Sequence, residues 1–397
     1  MKGARIRRIV TLGATGLAAM AVMSGGALID AAAATGGGPT AQPVLGSGSD
    51  TTQFMMHQLD GLYLFSPGCA QIPTPSGPAA WLDFSCQSPD PAGTVTTENY
   101  AHDQVHEAYF LGSGNGIKQL CQQGTAGVAQ IDFARSSRVP GTSDCAGLNF
   151  VAYARDGISW EAFDTANSGV HLQNNQAGTC AGSGGLTAFC LSQSDLQGIF
   201  ITCTITNWSQ VGGQNVPISI YTPQSGSGTR KTWDAFLNGD SSHCIPVAQQ
   251  PTHIIDENMN SSIPVGDQAG AIFPFSGGVW KTQVNGKGGA VLGAVDNVYP
   301  SNAAISSGSF PFGRFLYNVT CVACATGKNS SPATILYVGP EGWICKATGN
   351  HNINPVTGNN YRTDIAQAIG AAGFVPVLFG AIGGGNPNSD YCRLVTT

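Results

Sequence analysis

Ser225-Gly226-Ser227-Gly228-Thr229-Arg230 stands between an apolar run, Val216-Pro217-Ile218-Ser219-Ile220-Tyr221, and a helical pattern, Lys231-Thr232-Trp233-Asp234-Ala235-Phe236-Leu237. The order reads strand, glycine-rich turn, helix. Glycine lets the backbone approach a ligand, and the hydroxyls of Ser225, Ser227 and Thr229 can donate hydrogen bonds. The free N–H groups and the positive dipole end of the following helix favour an anion. A Gly/Ser turn also caps ordinary helices, so the stretch takes its meaning from others like it.

Two others repeat the theme. Val44-Leu45-Gly46-Ser47-Gly48-Ser49-Asp50-Thr51-Thr52 is a short apolar run, a Gly/Ser turn and a helix start. Met55, Leu59 and Leu62 give that helix a buried face, and Ser49 or Asp50 is its N-cap. Val128 to Arg138 reads as an alternating strand ending in Ser136 and Ser137, flanked by Arg135 and Arg138. An arginine fork suits phosphate or carboxylate, and with only 17 Lys and Arg in 397 residues two within four positions carry weight.

Phe150 to Trp160 reads as a long buried strand interrupted by Arg155-Asp156-Gly157, a charged break suited to a crossing between two lobes. Asp156 can accept a hydrogen bond from a protonated ligand oxygen, pair with Arg155, or cap a turn. Ser192 with Asp195 forms a capping box, and Leu196, Ile199 and Phe200 form a core stripe. Strands are expected near 270–275 and 310–319, and a helix over 362–372. Strands alternating with helices give an α/β chain.

The first residues read as an export signal. Lys2, Arg5, Arg7 and Arg8 precede an apolar stretch from Ile9 to Ile29, and Ala32-Ala33-Ala34 offers a cleavage site. An uncleaved anchor is the alternative reading of that stretch. Residues 35–43 form a flexible lead-in. Removal of residues 1–34 takes four basic side chains and one acidic, leaving 13 and 22, a charge near −9. Such a balance excludes a nucleic-acid binder, which needs a basic face. Twelve cysteines, an even number behind an export signal, point to disulfides. Neighbour pairing gives Cys69–Cys86, Cys121–Cys145, Cys180–Cys190 and Cys203–Cys244. Cys321 and Cys324 can also be read as a zinc or redox dithiol.

Other chemistry is sparsely marked. His102 and His106 at i, i+4 would share a helix face and could bind metal, but lack the glutamate placement of a metalloprotease. No nucleophile elbow or P-loop is present. A hydrolase using Ser227 or His106 has no recognisable nucleophile–base pair.

With these stretches assembled, the chain resembles the phosphate-binding proteins of phosphate ABC transporters, within the type 2 periplasmic binding proteins. The resemblance is carried by Gly46-Ser-Gly-Ser-Asp-Thr51, Asp132-Phe-Ala-Arg-Ser-Ser137, Leu196-Gln-Gly-Ile-Phe200 with Ile205-Thr-Asn-Trp208, and Ser225-Gly-Ser-Gly-Thr229. It implies two α/β lobes with two inter-lobe crossings: residues 44–155 and 277–397 in lobe 1, residues 156–276 in lobe 2. The ligand contacts it implies are Asp50 and Thr51 from the first loop, Ser136 from the second, Asp156 as acceptor, and Ser227, Gly228 and Thr229 at the helix start. Ser49, Thr52, Arg135, Ser137, Ser225 and Arg230 flank these contacts and complete the candidate site. Two departures stand out. Pro223 and Ser225 occupy positions where the family has Arg and Asp, and Asp50 replaces a Thr. Arg135, Arg138 or Arg230 would have to supply the missing charge.

The resemblance implies an exported, monomeric binding protein that captures phosphate or a related small oxyanion for an ABC permease. It implies no catalysis, no cofactor and no metal. An extracellular structural or adhesion protein reusing the fold without transport is the rival expectation.

Overall fold

The apolar pattern that begins at Leu148 runs without a break to Phe163, one strand of 16 residues in the computed structural model of the chain. Residues 46–64, 112–122, 131–171, 190–285, 287–324, 329–330, 332–340, 342–346, 359, 361–377, 392 and 394–397 are described. The interruption expected at Arg155-Asp156-Gly157 does not occur. Arg314, on the antiparallel partner strand Gly313–Cys321, lies directly opposite Asp156 and pairs with it at 2.8 Å. A compensated carboxylate can stay inside a buried strand.

The long strand organises the sheet. Its first part pairs with Gly313–Cys321 and its later part with Ala271–Ser276, both antiparallel. Outward from Gly313–Cys321 come Phe133–Ser136 and then Gly46–Gly48. Outward from Ala271–Ser276 comes Ser219–Ile220. Parallel pairs at both ends and antiparallel pairs at the centre give a mixed sheet, with helices between its strands. The chain is therefore α/β, as expected.

Three buried apolar groups surround this sheet. Met55, Leu59, Tyr153, Phe273, Phe275, Ile365 and Ile369 belong to one. Ile117, Leu120, Phe150 and Tyr317 belong to a second. The third is rich in aromatics: Trp160 and Trp208 lie 5.9 Å apart, and Trp233 meets Phe312 edge-on at 5.4 Å. Together, residues of the long strand enter all three groups, so one rigid element ties them together.

Local signals set the helices. Ser192 and Asp195 form the capping box at the start of Gln193–Phe200, which buries Leu196, Ile199 and Phe200. Asn238 ends Gly228–Leu237 in the left-handed conformation. The helix expected over 362–372 spans Tyr361–Ala371. Cys121–Cys145 and Cys203–Cys244 are bonded as neighbour pairing predicts, and Cys345 bonds Cys392. Cys321 and Cys324 are bonded to each other, which leaves no thiol pair there for zinc.

The export signal with its cleavage site, the lead-in, His102 and His106, Cys69, Cys86 and Cys180 lie outside the described residues. Among the described residues, no helix is long and apolar enough to cross a membrane, and no cluster of His, Cys, Asp and Glu could hold a metal ion.

Candidate functional site

Two helix starts from distant parts of the chain meet. Gly48 has φ +126, and a Cβ there would lie 2.4 Å from the Arg135 carbonyl oxygen, so only glycine admits this turn. Ser49 N–H donates to that same carbonyl at 3.1 Å. One 3-10 turn, Asp50–Thr52, leads into the helix Gln53–Leu64. The Thr52 hydroxyl turns back to the Ser49 carbonyl. On the other side, Ser227 caps the helix Gly228–Leu237 by accepting from Arg230 N–H at 3.0 Å. Thr51 and Thr229 are both spared local duty. Their hydroxyl oxygens lie 3.4 Å apart, from residues 178 positions apart in sequence.

Both hydroxyls donate to one acceptor, Oε1 of Glu257, at 2.5 Å each. Behind them stands Arg314. Its Nη1 donates to Thr229 Oγ1 at 3.0 Å and to the Ser137 carbonyl at 3.1 Å, and its Nη2 reaches Thr51 Oγ1 at 3.4 Å. Its Nε and Nη2 also hold Asp156 Oδ2 at 3.1 and 2.8 Å. The Ser276 hydroxyl donates to the same oxygen, and Gly278 N–H to Asp156 Oδ1. Asn258 completes the ring by donating to Thr51 Oγ1 and accepting from Ser276 N–H. Thr51, Thr229, Glu257, Asp156, Ser276 and Arg314 are all buried. Two hydroxyls thus converge on a buried carboxylate oxygen with a guanidinium directly behind them, an arrangement suited to an oxyanion.

A third helix start closes one wall. Ser113 begins Ser113–Gln122, and its hydroxyl accepts from Ser137 N–H at 2.9 Å. Gly114 N–H donates to the Gly226 carbonyl at 2.9 Å. A Cβ at Gly228 would fall 2.2 Å from Ser113 Oγ and 2.3 Å from Ser137 Oγ, so the contact between these turns requires glycine.

Asp50 lies beside the cluster. Burial first, then the negative charges of Glu257 and Asp256, push its carboxyl well above the usual carboxylate range, while Arg135 acts the other way.

The candidate residues divide sharply. Thr51, Thr229 and Asp156 are in the cluster, and Gly228 and Ser137 pack against it. Asp156 is already engaged: its Oδ2 accepts from Arg314 and Ser276 and its Oδ1 from Gly278 N–H. Arg155, the partner considered for it, stacks over Phe315 and donates to the Ser306 carbonyl. Ser136 spends its hydroxyl on the Arg138 backbone. Thr52 and Ser227 turn their hydroxyls to the helix starts, whereas Ser49, at the expected N-cap, makes no capping bond and its buried hydroxyl has no hydrogen-bond partner among the described residues. Exposed Ser225 borders an open groove of about 940 Å³ with Lys118 and Lys231.

Two of the three arginines considered as compensation are claimed by acids outside the cluster. Arg138 forks onto Asp144 at 2.7 and 2.8 Å. Arg230 holds Asp240 and Ser242, with Asp234 at 3.7 Å. Arg135 is buried and acts on Asp50. The charge comes instead from Arg314, which sequence reading treated only as part of a strand. Glu257, Asn258, Ser276 and Ser113 were also missed.

A family model described as a PBP superfamily domain matches residues 94–327. Among solved structures, a putative phosphate ABC transporter substrate-binding protein with bound phosphate from Clostridium perfringens aligns at TM-score 0.51 and 18% identity, covering 85% of this chain and 100% of that one. A phosphate-binding protein from Stenotrophomonas maltophilia aligns at TM-score 0.46 and 15% identity, over 86% of this chain and 92% of its own. An ABC-type phosphate transport receptor from Vibrio cholerae aligns at 0.40 and 18%, over 71% and 88%. No curated protein matches in sequence. The Clostridium perfringens match shows a shared fold.

Proposed function

Because the chain belongs to the PBP superfamily, we propose that it is an exported solute-binding protein that captures a small oxyanion, phosphate foremost, and delivers it to an ABC permease. One observation carries this reading: the hydroxyls of Thr51 and Thr229 both donate to a single carboxylate oxygen, and the Arg314 guanidinium stands behind them, donating to both hydroxyl oxygens. A phosphate oxygen offers the same chemistry as the carboxylate oxygen it would replace. The phosphate bound in the Clostridium perfringens protein of shared fold supports the choice of ligand.

The site draws on both lobes expected from the sequence. Thr51 and Arg314 fall in residues 44–155 and 277–397, while Thr229 and Glu257 fall in 156–276. A cleft between such lobes would take up the ion as hydroxyls and guanidinium replace its hydration shell, with no bond made or broken. Asp156, expected to accept from a protonated ligand oxygen, is already engaged by Arg314, Ser276 and Gly278, so the reading does not rest on it. The ligand class is therefore the small tetrahedral oxyanions.

Calorimetric titration of ligand-stripped protein with phosphate, sulfate and arsenate tests the reading. Saturable heat with phosphate is expected. Binding of sulfate alone would change the ligand, and binding of none of the three would end the reading. The rival, an extracellular structural or adhesion protein, is favoured by one fact: Glu257 already holds both hydroxyls.

A further inference from the structure

Glu257 sits where the oxyanion is expected. Its Oε1 takes the two threonine hydroxyls, and its Oε2, also buried, has no hydrogen-bond partner among the described residues. An acceptor so placed is desolvated but only half satisfied, which weakens its hold on the site.

Charge points the same way. Arg135 and Arg314 are the buried cations of this region, against Asp156 and Glu257. Burial and the neighbouring acids drive Asp50 toward its neutral form, and Asp256 is exposed to solvent. Exchange of Glu257 for an incoming oxyanion replaces one anion by another beside these buried cations.

The segment bearing Glu257 is short and irregular. It lies between the strand Ile254–Ile255 and the 3-10 turn Asn260–Ser262, with Asn258 left-handed at φ 61. Neither a helix nor a strand has to break for the side chain to leave.

We propose that Glu257 is a tethered competitor: its carboxylate holds the Thr51 and Thr229 hydroxyls until an incoming oxyanion displaces it, and so sets the affinity of capture. This rests on the reading of the cluster as an oxyanion site. The fraction of molecules with Glu257 swung out is the fraction competent to bind, and the apparent affinity falls by that factor.

The test is calorimetric titration with sodium phosphate of the wild type, Glu257→Gln and Glu257→Ala, with melting curves to check folding. Both variants are expected to bind about tenfold more tightly or better, as for a competent fraction of a tenth or less. Sodium acetate is expected to raise the melting temperature of Glu257→Ala and not of the wild type. If the alanine variant does not fold, the near-isosteric Glu257→Gln decides alone. Variants that bind phosphate no more tightly than a binding wild type overturn the inference and leave the oxyanion reading standing. If no form binds phosphate, sulfate or arsenate, that reading falls and the inference with it.

Discussion

The long strand carries two buried carboxylates, Asp156 and Glu161, and the molecule treats them in opposite ways. Asp156 receives a guanidinium, a hydroxyl and a backbone N–H. Glu161 receives one amide, Asn260 Nδ2 at 2.6 Å, and its other oxygen has no hydrogen-bond partner among the described residues. Burial pushes the Glu161 carboxyl up to about 8, with the Asn260 hydrogen bond opposing. The difference is one of supply. In a chain this poor in arginine, Arg314 is placed at the meeting point of the two helix starts, and the acid five residues along the strand holds a proton instead. A buried charge is maintained where the site uses it and discharged where it does not.

Removing the guanidinium should break this comparison most forcefully. Arg314→Ala strands Asp156 in the core and is expected to cost about 3–5 kcal/mol of stability in denaturant unfolding. An unchanged midpoint would mean that Asp156 has another source of compensation.

The Glu161 side gives a pH signature. Its folded pKa of about 8 lies above its ordinary 4.5, so between these values the folded state holds a proton that the unfolded state has lost. Stability should therefore fall as pH rises through that window, by at most about 1.4 kcal/mol per pH unit. Glu161→Gln should flatten the trend in melts from pH 5 to pH 8. A trend that survives the substitution must come from another group.

Smaller effects separate the hydroxyls that face the cluster from those that do not. In a Glu257→Ala background, where no internal acceptor competes, Thr229→Val should weaken phosphate binding by about 1.5–3 kcal/mol, the range for a hydrogen bond to a charged group. Ser136→Ala in the same background should leave affinity unchanged, because that hydroxyl is held by the Arg138 backbone. Equal losses would redraw the site around the second loop.

Much of the scaffold was legible in sequence because its signals are local. A Gly/Ser/Thr turn followed by a helical stripe marked both Thr51 and Thr229, and the Ser192–Asp195 box marked its helix. The long strand was also legible, except that Arg155-Asp156-Gly157 looked like a break; the residue that keeps it whole lies 158 positions later. Arg314 carries no local mark, since it stands in an apolar strand and acquires its role only through register with Asp156. Glu257 lies in a loop without a motif. Gly112-Ser113-Gly114-Asn115-Gly116 has the composition of a loop, yet Ser113 opens a helix, since packing against Gly226 and Ser137 outweighs propensity there. Arg135, Arg138 and Arg230 misled for the converse reason: an arginine beside an anion-ready turn can be claimed by the fold's own acids.

The most direct test of the central claim is a crystal structure of the protein grown with arsenate, whose heavy centre marks the ion. The ion is expected within hydrogen-bonding distance of Thr51 Oγ1, Thr229 Oγ1 and Arg314, with the Glu257 side chain moved out. Arsenate bound elsewhere, with both threonine hydroxyls still on Glu257, would contradict it.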